Sequence, residues 1–167
     1  CIGGDEMDQA TNQKIMRLQK SLSALRKVAG WSAEDLGKQL DVTRQTIVNL
    51  ETGQTRMTKV QYMALRLAFA TEMQAQKNET LLELMTTLVD RDDISEDERV
   101  QLRQTVDNAV NKVGRRIGSD AASKAAVKAV EPKLRTAVSA WVTGAFAAAA
   151  AVSMLYDLFK NDDGHNL

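Results

Sequence analysis

Three helix starts fall within 27 residues of this chain, and they dictate how its first half can fold. Ser32, Thr43 and Thr58 each carry a short oxygen-bearing side chain of the kind that accepts from the free amides of a helix's first turn. Asp35, three residues after Ser32, adds the reciprocal acid of a capping box. Gly30 and Gly53 supply the stops. A helix opening at Ser32 therefore runs only to about Leu40 before Asp41 and Val42 turn the chain. A second short helix runs from Arg44 to Thr52, and a third opens at Thr58.

The flanking segments read as helices too. Ile15, Leu18, Leu22 and Leu25 recur three or four apart, predicting a helix from near Asn12 that Gly30 ends. The helix after Thr58 is expected to turn Val60, Met63, Ala64, Leu67 and Ala68 inward. Leu81, Leu82, Met85, Leu88 and Val89 mark another, packed back on the same unit. Ser95 with Glu98 forms a second capping box. It opens a helix from about Glu96 to Val113 with Leu102, Val106, Ala109, Val110, Val113 and Ile117 on one stripe. Gly114 and Gly118 weaken its end, Ser119 restarts an Ala-rich helix, and Pro132 breaks or begins the last. Aromatics are 4% of the residues and proline occurs once. Strands favour aromatic and β-branched residues, so the chain reads as all-α.

The formal net charge is zero, but the charges are segregated. Residues 14–72 carry 10 Lys and Arg against 5 Asp and Glu, and residues 76–110 carry 4 against 9. Residues 111–135 carry 7 against 2, and residues 136–167 carry 1 against 3. Salt screens exposed charges beyond roughly 10 Å, so a nearby polyanion meets the basic first block and not the average. The single cysteine, Cys1, excludes an internal disulfide and a cysteine-based zinc site. The single histidine, His165, sits in a polar tail with no converging partner, and it reads as a loose surface residue. No nucleophile or acid–base constellation appears, so neither a metal, a cofactor nor an enzyme is expected. Cys1–Glu6 reads as translated leader or expression residue. Gly3-Gly4 can be encoded by a ribosome-binding sequence, and Asp5-Glu6 spaces it from Met7, taken as the start. No secretory signal opens the chain, and a reducing cytoplasmic compartment is expected.

Two short helices joined by a three-residue turn are the minimal reader of a duplex: one braces on the phosphates while the other enters the major groove. The string Leu25-Arg26 followed by Gly30-Trp31-Ser32-Ala33-Glu34-Asp35-Leu36-Gly37-Lys38-Gln39-Leu40-Asp41-Val42-Thr43-Arg44-Gln45-Thr46-Ile47-Val48-Asn49-Leu50-Glu51-Thr52-Gly53 resembles the phage-repressor and Cro-like regulators, also called xenobiotic-response-element-like. The resemblance covers roughly 55 residues, a third of the chain. It implies a five-helix lambda-repressor-like DNA-binding domain followed by a helical, Ala-rich C-terminal extension. It also implies base contacts from Arg44, Gln45, Thr46 and Asn49, residues whose types suit guanine (Arg) and adenine (Gln, Asn). Phosphate contacts fall to Ser32, Thr43, Gln54, Thr55, Arg56, Thr58 and Lys59, at helix starts and in a short basic loop. Arg26 and Glu51 match a pair that bridges helices in the family, and they are read as structural.

Three positions depart from the family pattern. Ala33 replaces a common phosphate-contacting Gln. Gly37 replaces the usual Ala and is expected to loosen its helix by up to about 1 kcal/mol. Asp41 replaces Gly at the turn, where Asp tolerates a left-handed backbone.

The domains expected are the leader 1–6, the DNA-binding domain 7–90, an acidic linker 91–98, a helical C-terminal region 99–160 and a tail 161–167. Within the C-terminal region, Thr136–Tyr156 is 21 residues without a charge, long enough to cross the roughly 30 Å hydrocarbon layer. Eight of the 21 are Ala, so a membrane span and a helix buried between helices both stand as readings. Lys112, Arg115, Arg116, Lys124, Lys128, Lys133 and Arg135 precede it. They suit anionic lipid, non-specific DNA contact or plain solvation alike.

A sequence-specific transcriptional regulator is the leading function, with double-stranded DNA and a second copy as partners and the Leu102–Val113 stripe as candidate seam. The alternative is a membrane-anchored protein-interaction adaptor with a repurposed helix-turn-helix head, an arrangement similar to that of some bacterial cell-shape proteins. An antitoxin or immunity repressor would share the DNA chemistry.

Overall fold

Leu18, Leu22 and Leu25 lie at helical spacing with no exposed surface, and they form the spine of α1 (Gly3–Val28). The computed structural model describes residues 3–117, with side-chain surroundings for 8–111. Helix α1 begins nine residues before the expected Asn12. Asp8, Gln9 and Ala10 are exposed there, so apolar periodicity carries no signal. Acidic and straight-chain residues favour the helix at its N-terminus all the same.

The caps act where the sequence puts them. Helix α2 (Ala33–Leu40) opens on Ser32, which accepts from the Asp35 amide at 3.0 Å while the Asp35 carboxylate accepts from the Ser32 amide at 2.9 Å. It ends on Asp41 in the left-handed region, φ 54°. Helix α3 (Arg44–Glu51) opens on Thr43, and Gly53 follows it at φ 76°. Helix α4 (Lys59–Gln76) opens on Thr58, with Gln61 closing a second capping box. Helix α5 (Glu79–Met85) passes into a single π-helical turn, Thr86–Asp90, in which Thr87, Leu88 and Val89 are buried. Helix α6 (Glu96–Ile117) completes the described chain.

Leu36, Ile47 and Leu50 join the α1 spine, with Leu40 and Val42 packed beside them. Trp31 stacks on Phe69, ring centroids 5.5 Å apart, pinning α4 to the start of α2. Helix α4 is rotated from the expected register. Val60, Met63 and Leu67 are 76%, 61% and 70% exposed, while Leu65 and Phe69 are buried and Ala64 and Ala68 lie between. The segment offers two apolar stripes, and the buried Met57 just before the cap together with the Trp31 stack selects the Leu65–Phe69 one. Leu82 of α5 likewise faces out, unlike Leu81, Met85, Leu88 and Val89.

Helix α6 lies against α1. Leu102, Val106, Ala109 and Val110 belong to the same buried cluster, so three of the residues expected in a dimer seam, Leu102, Val106 and Ala109, pack inside the protomer, while the side chain of Val113 lies outside the described ones. Ion pairs fasten this layer: Arg17–Asp92 at 2.7 Å, Lys27–Asp107 at 2.9 Å and Lys20–Glu96 at 3.3 Å, with Arg103–Glu96 at 2.9 Å within α6. Among the described residues no helix is long and apolar enough to cross a membrane. Thr136–Tyr156, His165, Ser119, Pro132 and the end of the basic block lie outside them.

Candidate nucleic-acid interface

The α2–turn–α3 unit is held tightly at its corner. The Val42 amide donates to the Gly37 carbonyl at 2.9 Å, closing the turn around Asp41. A Cβ built on Gly37 would stand 2.7 Å from the Val42 carbonyl oxygen, closer than real Cβ atoms come. A side chain at Gly37 would therefore force the backbone of the turn to shift. The sequence-level expectation that Gly37 merely loosens α2 misses this contact.

Arg26 clamps the unit from the other side. Its Nε meets Glu51 Oε1 at 2.5 Å and its Nη2 meets Oε2 at 3.2 Å, while Nη1 donates to the Trp31 carbonyl at 2.8 Å. One guanidinium thus ties α1 to the end of α3 and the start of α2.

On the outer side, Arg44 and Gln45 are exposed and Thr46 and Asn49 partly so. Gln45 Nε2 donates to Asn49 Oδ1 at 2.9 Å, and the Thr43 and Thr46 hydroxyls share a 2.9 Å hydrogen bond. Gln45 and Asn49 share a face of α3, with Arg44 and Thr46 to either side of it. Gln54, Thr55 and Arg56 are exposed in the loop after α3, with Thr58 and Lys59 at its far end. Ser32, Thr43 and Thr58 all use their hydroxyls as caps, so their oxygens are engaged within the protein.

Most cations of the described residues are paired, but Lys14, Lys77 and Arg99 meet no carboxylate, nor do three cations near this face. Arg17, Arg26, Arg66, Arg91, Arg103, Lys20, Lys27 and Lys38 each meet a carboxylate. Arg44, Arg56 and Lys59 have no acidic partner among the described residues. On α2 the Lys38 ammonium is held charged by Glu34, whose hydrogen bond and charge raise its pKa. Charges of one sign left uncompensated on one face attract the opposite sign.

A helix-turn-helix family model matches residues 22–64, from the buried Leu22 of α1 into α4. The match agrees with the α2–turn–α3 geometry of this segment. No curated protein and no solved structure matches the chain. Within the matched segment, α2 and α3 are the two helices joined by the turn.

Sequence reasoning missed Gln19. From α1 its Nε2 donates to the Leu50 carbonyl at 3.0 Å and the Thr55 carbonyl at 2.7 Å. Its Oε1 accepts from the Met57 amide at 2.9 Å. The available signal was an amide side chain beside the buried Leu18 and Leu22 stripe. Its partners lie 31 to 38 residues away, where no local pattern reaches.

Proposed function

We propose that the chain is a sequence-specific transcriptional regulator that places α3 in the major groove of double-stranded DNA. Arg44, Gln45, Thr46 and Asn49 read base edges, Arg toward guanine and the amides toward adenine. Gln54, Thr55, Arg56 and Lys59, with the helix starts at Ser32, Thr43 and Thr58, meet phosphate and set the register. The observation that carries this reading is the helix-turn-helix match over residues 22–64, together with the exposed polar side chains of α3 and the exposed Arg56 and Lys59 after it.

The protein acts as a homodimer on a two-fold site, since one head contacts too few bases for high specificity and two heads reach half-sites roughly 34 Å apart. Chemistry is not its role. Selection of bound duplexes from a random pool by the full chain tests the reading. It predicts an enriched, two-fold related sequence, and a pool that stays random after repeated rounds would contradict it.

A further inference from the structure

We infer that Gln19 is a positioning residue for DNA, fixing the backbone on both sides of Arg56 from α1. The inference rests on the phosphate role proposed for Arg56.

The geometry is specific to that residue. The loop from Thr52 to Arg56 is exposed throughout, and Met57 is the residue that buries itself. Arg56 lies between the Thr55 carbonyl and the Met57 amide, and a single side-chain amide holds both, at 2.7 and 2.9 Å. The same Nε2 reaches the Leu50 carbonyl at the end of α3 at 3.0 Å. One primary amide thus joins the end of the groove-facing helix to the two peptide groups flanking the loop cation.

The chemistry admits few substitutes. The site needs two N–H donors and one acceptor on the end of a three-atom stem. Asn falls a methylene short, Glu brings no donor, and Lys brings no acceptor. The pattern also fixes which end of the amide is which, because two carbonyls cannot face Oε1.

The role is one of position more than of stability. The Leu50 carbonyl keeps a second donor, the Gly53 amide at 3.3 Å, and the Thr55 carbonyl lies where water can replace Gln19. Met57 stays anchored by its own buried side chain. Loss of Gln19 leaves the fold with its core and frees the backbone around Arg56. A cation on a loosened loop must be ordered when it meets a phosphate, and affinity falls by the cost of that ordering.

The test compares Gln19→Leu with the unaltered full chain by amide hydrogen exchange and by titration of a random-sequence duplex at several salt concentrations. Exchange at Met57 should quicken at least tenfold while Leu36 and Ile47, inside the core, keep their protection. Affinity for random duplex should drop several-fold with a shallower salt slope, by about one ion if the Arg56 contact is lost. Arg56→Ala made in the Gln19→Leu background should then add little. Unchanged Met57 exchange, or fully additive losses from the two substitutions, would overturn the inference. If the unaltered chain bound no duplex, the DNA reading would fall, while Met57 exchange would still decide whether Gln19 holds the loop.

Discussion

Arg26 and Glu51 meet through two nitrogens and two oxygens, at 2.5 and 3.2 Å, with 13% and 11% of their side-chain surfaces exposed. The pair spans α1 and α3, and Arg26 also serves the Trp31 carbonyl, so breaking it strands a charge that has little access to water. Glu51→Gln should destabilise the fold by about 2–3 kcal/mol in urea unfolding, because the buried guanidinium loses its counter-ion. A double-mutant cycle with Arg26→Met should show the two losses to be non-additive. Additive losses would mean that the residues act separately.

Gly37 supplies the second prediction, and propensity and packing oppose each other there. Ala in place of Gly inside a helix gains up to about 1 kcal/mol. The added methyl would meet the Val42 carbonyl at 2.7 Å, a backbone atom that cannot swing aside. Gly37→Ala should therefore lower stability by about 1–2 kcal/mol net, as an overpacked site does. A raised melting temperature would show that the turn gives way at little cost.

The capping residues made the α2–turn–α3 unit legible. Ser32, Asp35, Asp41, Thr43 and Thr58 act through neighbours within a few positions, so local sequence contains the whole interaction. The rotation of α4 was not legible, because Val60-Met63-Leu67 and Leu65-Phe69 are both helical stripes and distant Trp31 decides between them. The same limit hid the close approach at Gly37 and the reach of Gln19, both of which depend on where the turn and loop return in space. The α6 stripe was legible as apolar, but its partner, α1, was not.

The attachment of α6 should weaken in acid. The Arg17 guanidinium holds Asp92 below the usual carboxylate range by hydrogen bond and charge, and Arg91 does the same for Asp93. Burial pushes Glu96 up, but Arg103 and Lys20 outweigh it, and the Ser95 amide and hydroxyl hold Glu98 down. Folded values below unfolded ones give stability that is complete above about pH 4–4.5 and lost as pH falls through the depressed values. Thermal melts should fall modestly below that range, since the carboxylates are mostly exposed, and Arg17→Met should flatten the fall. An acid profile untouched by Arg17→Met would remove the clamp from the account.

Val106 sits in the core with no exposed surface. Val106→Asp should unfold α6 from α1, seen as lost helical protection, instead of converting a folded dimer to a folded monomer. Sedimentation of the full chain with far-ultraviolet circular dichroism separates the two outcomes. A folded Val106→Asp monomer would return α6 to the role of a seam.

The central claim is that the exposed polar face of α3 reads base edges while the loop cations meet phosphate. Its most direct test is the affinity of Arg44→Ala and Arg56→Ala for a selected duplex and for a random one, across salt concentration. Arg44→Ala should cost about 1–3 kcal/mol on the selected duplex and little beyond a charge effect on the random one. Arg56→Ala should weaken both alike and lower the salt slope by about one. Equal loss on both duplexes from Arg44→Ala, with sequence preference intact, would contradict the assignment of α3 as the reading helix.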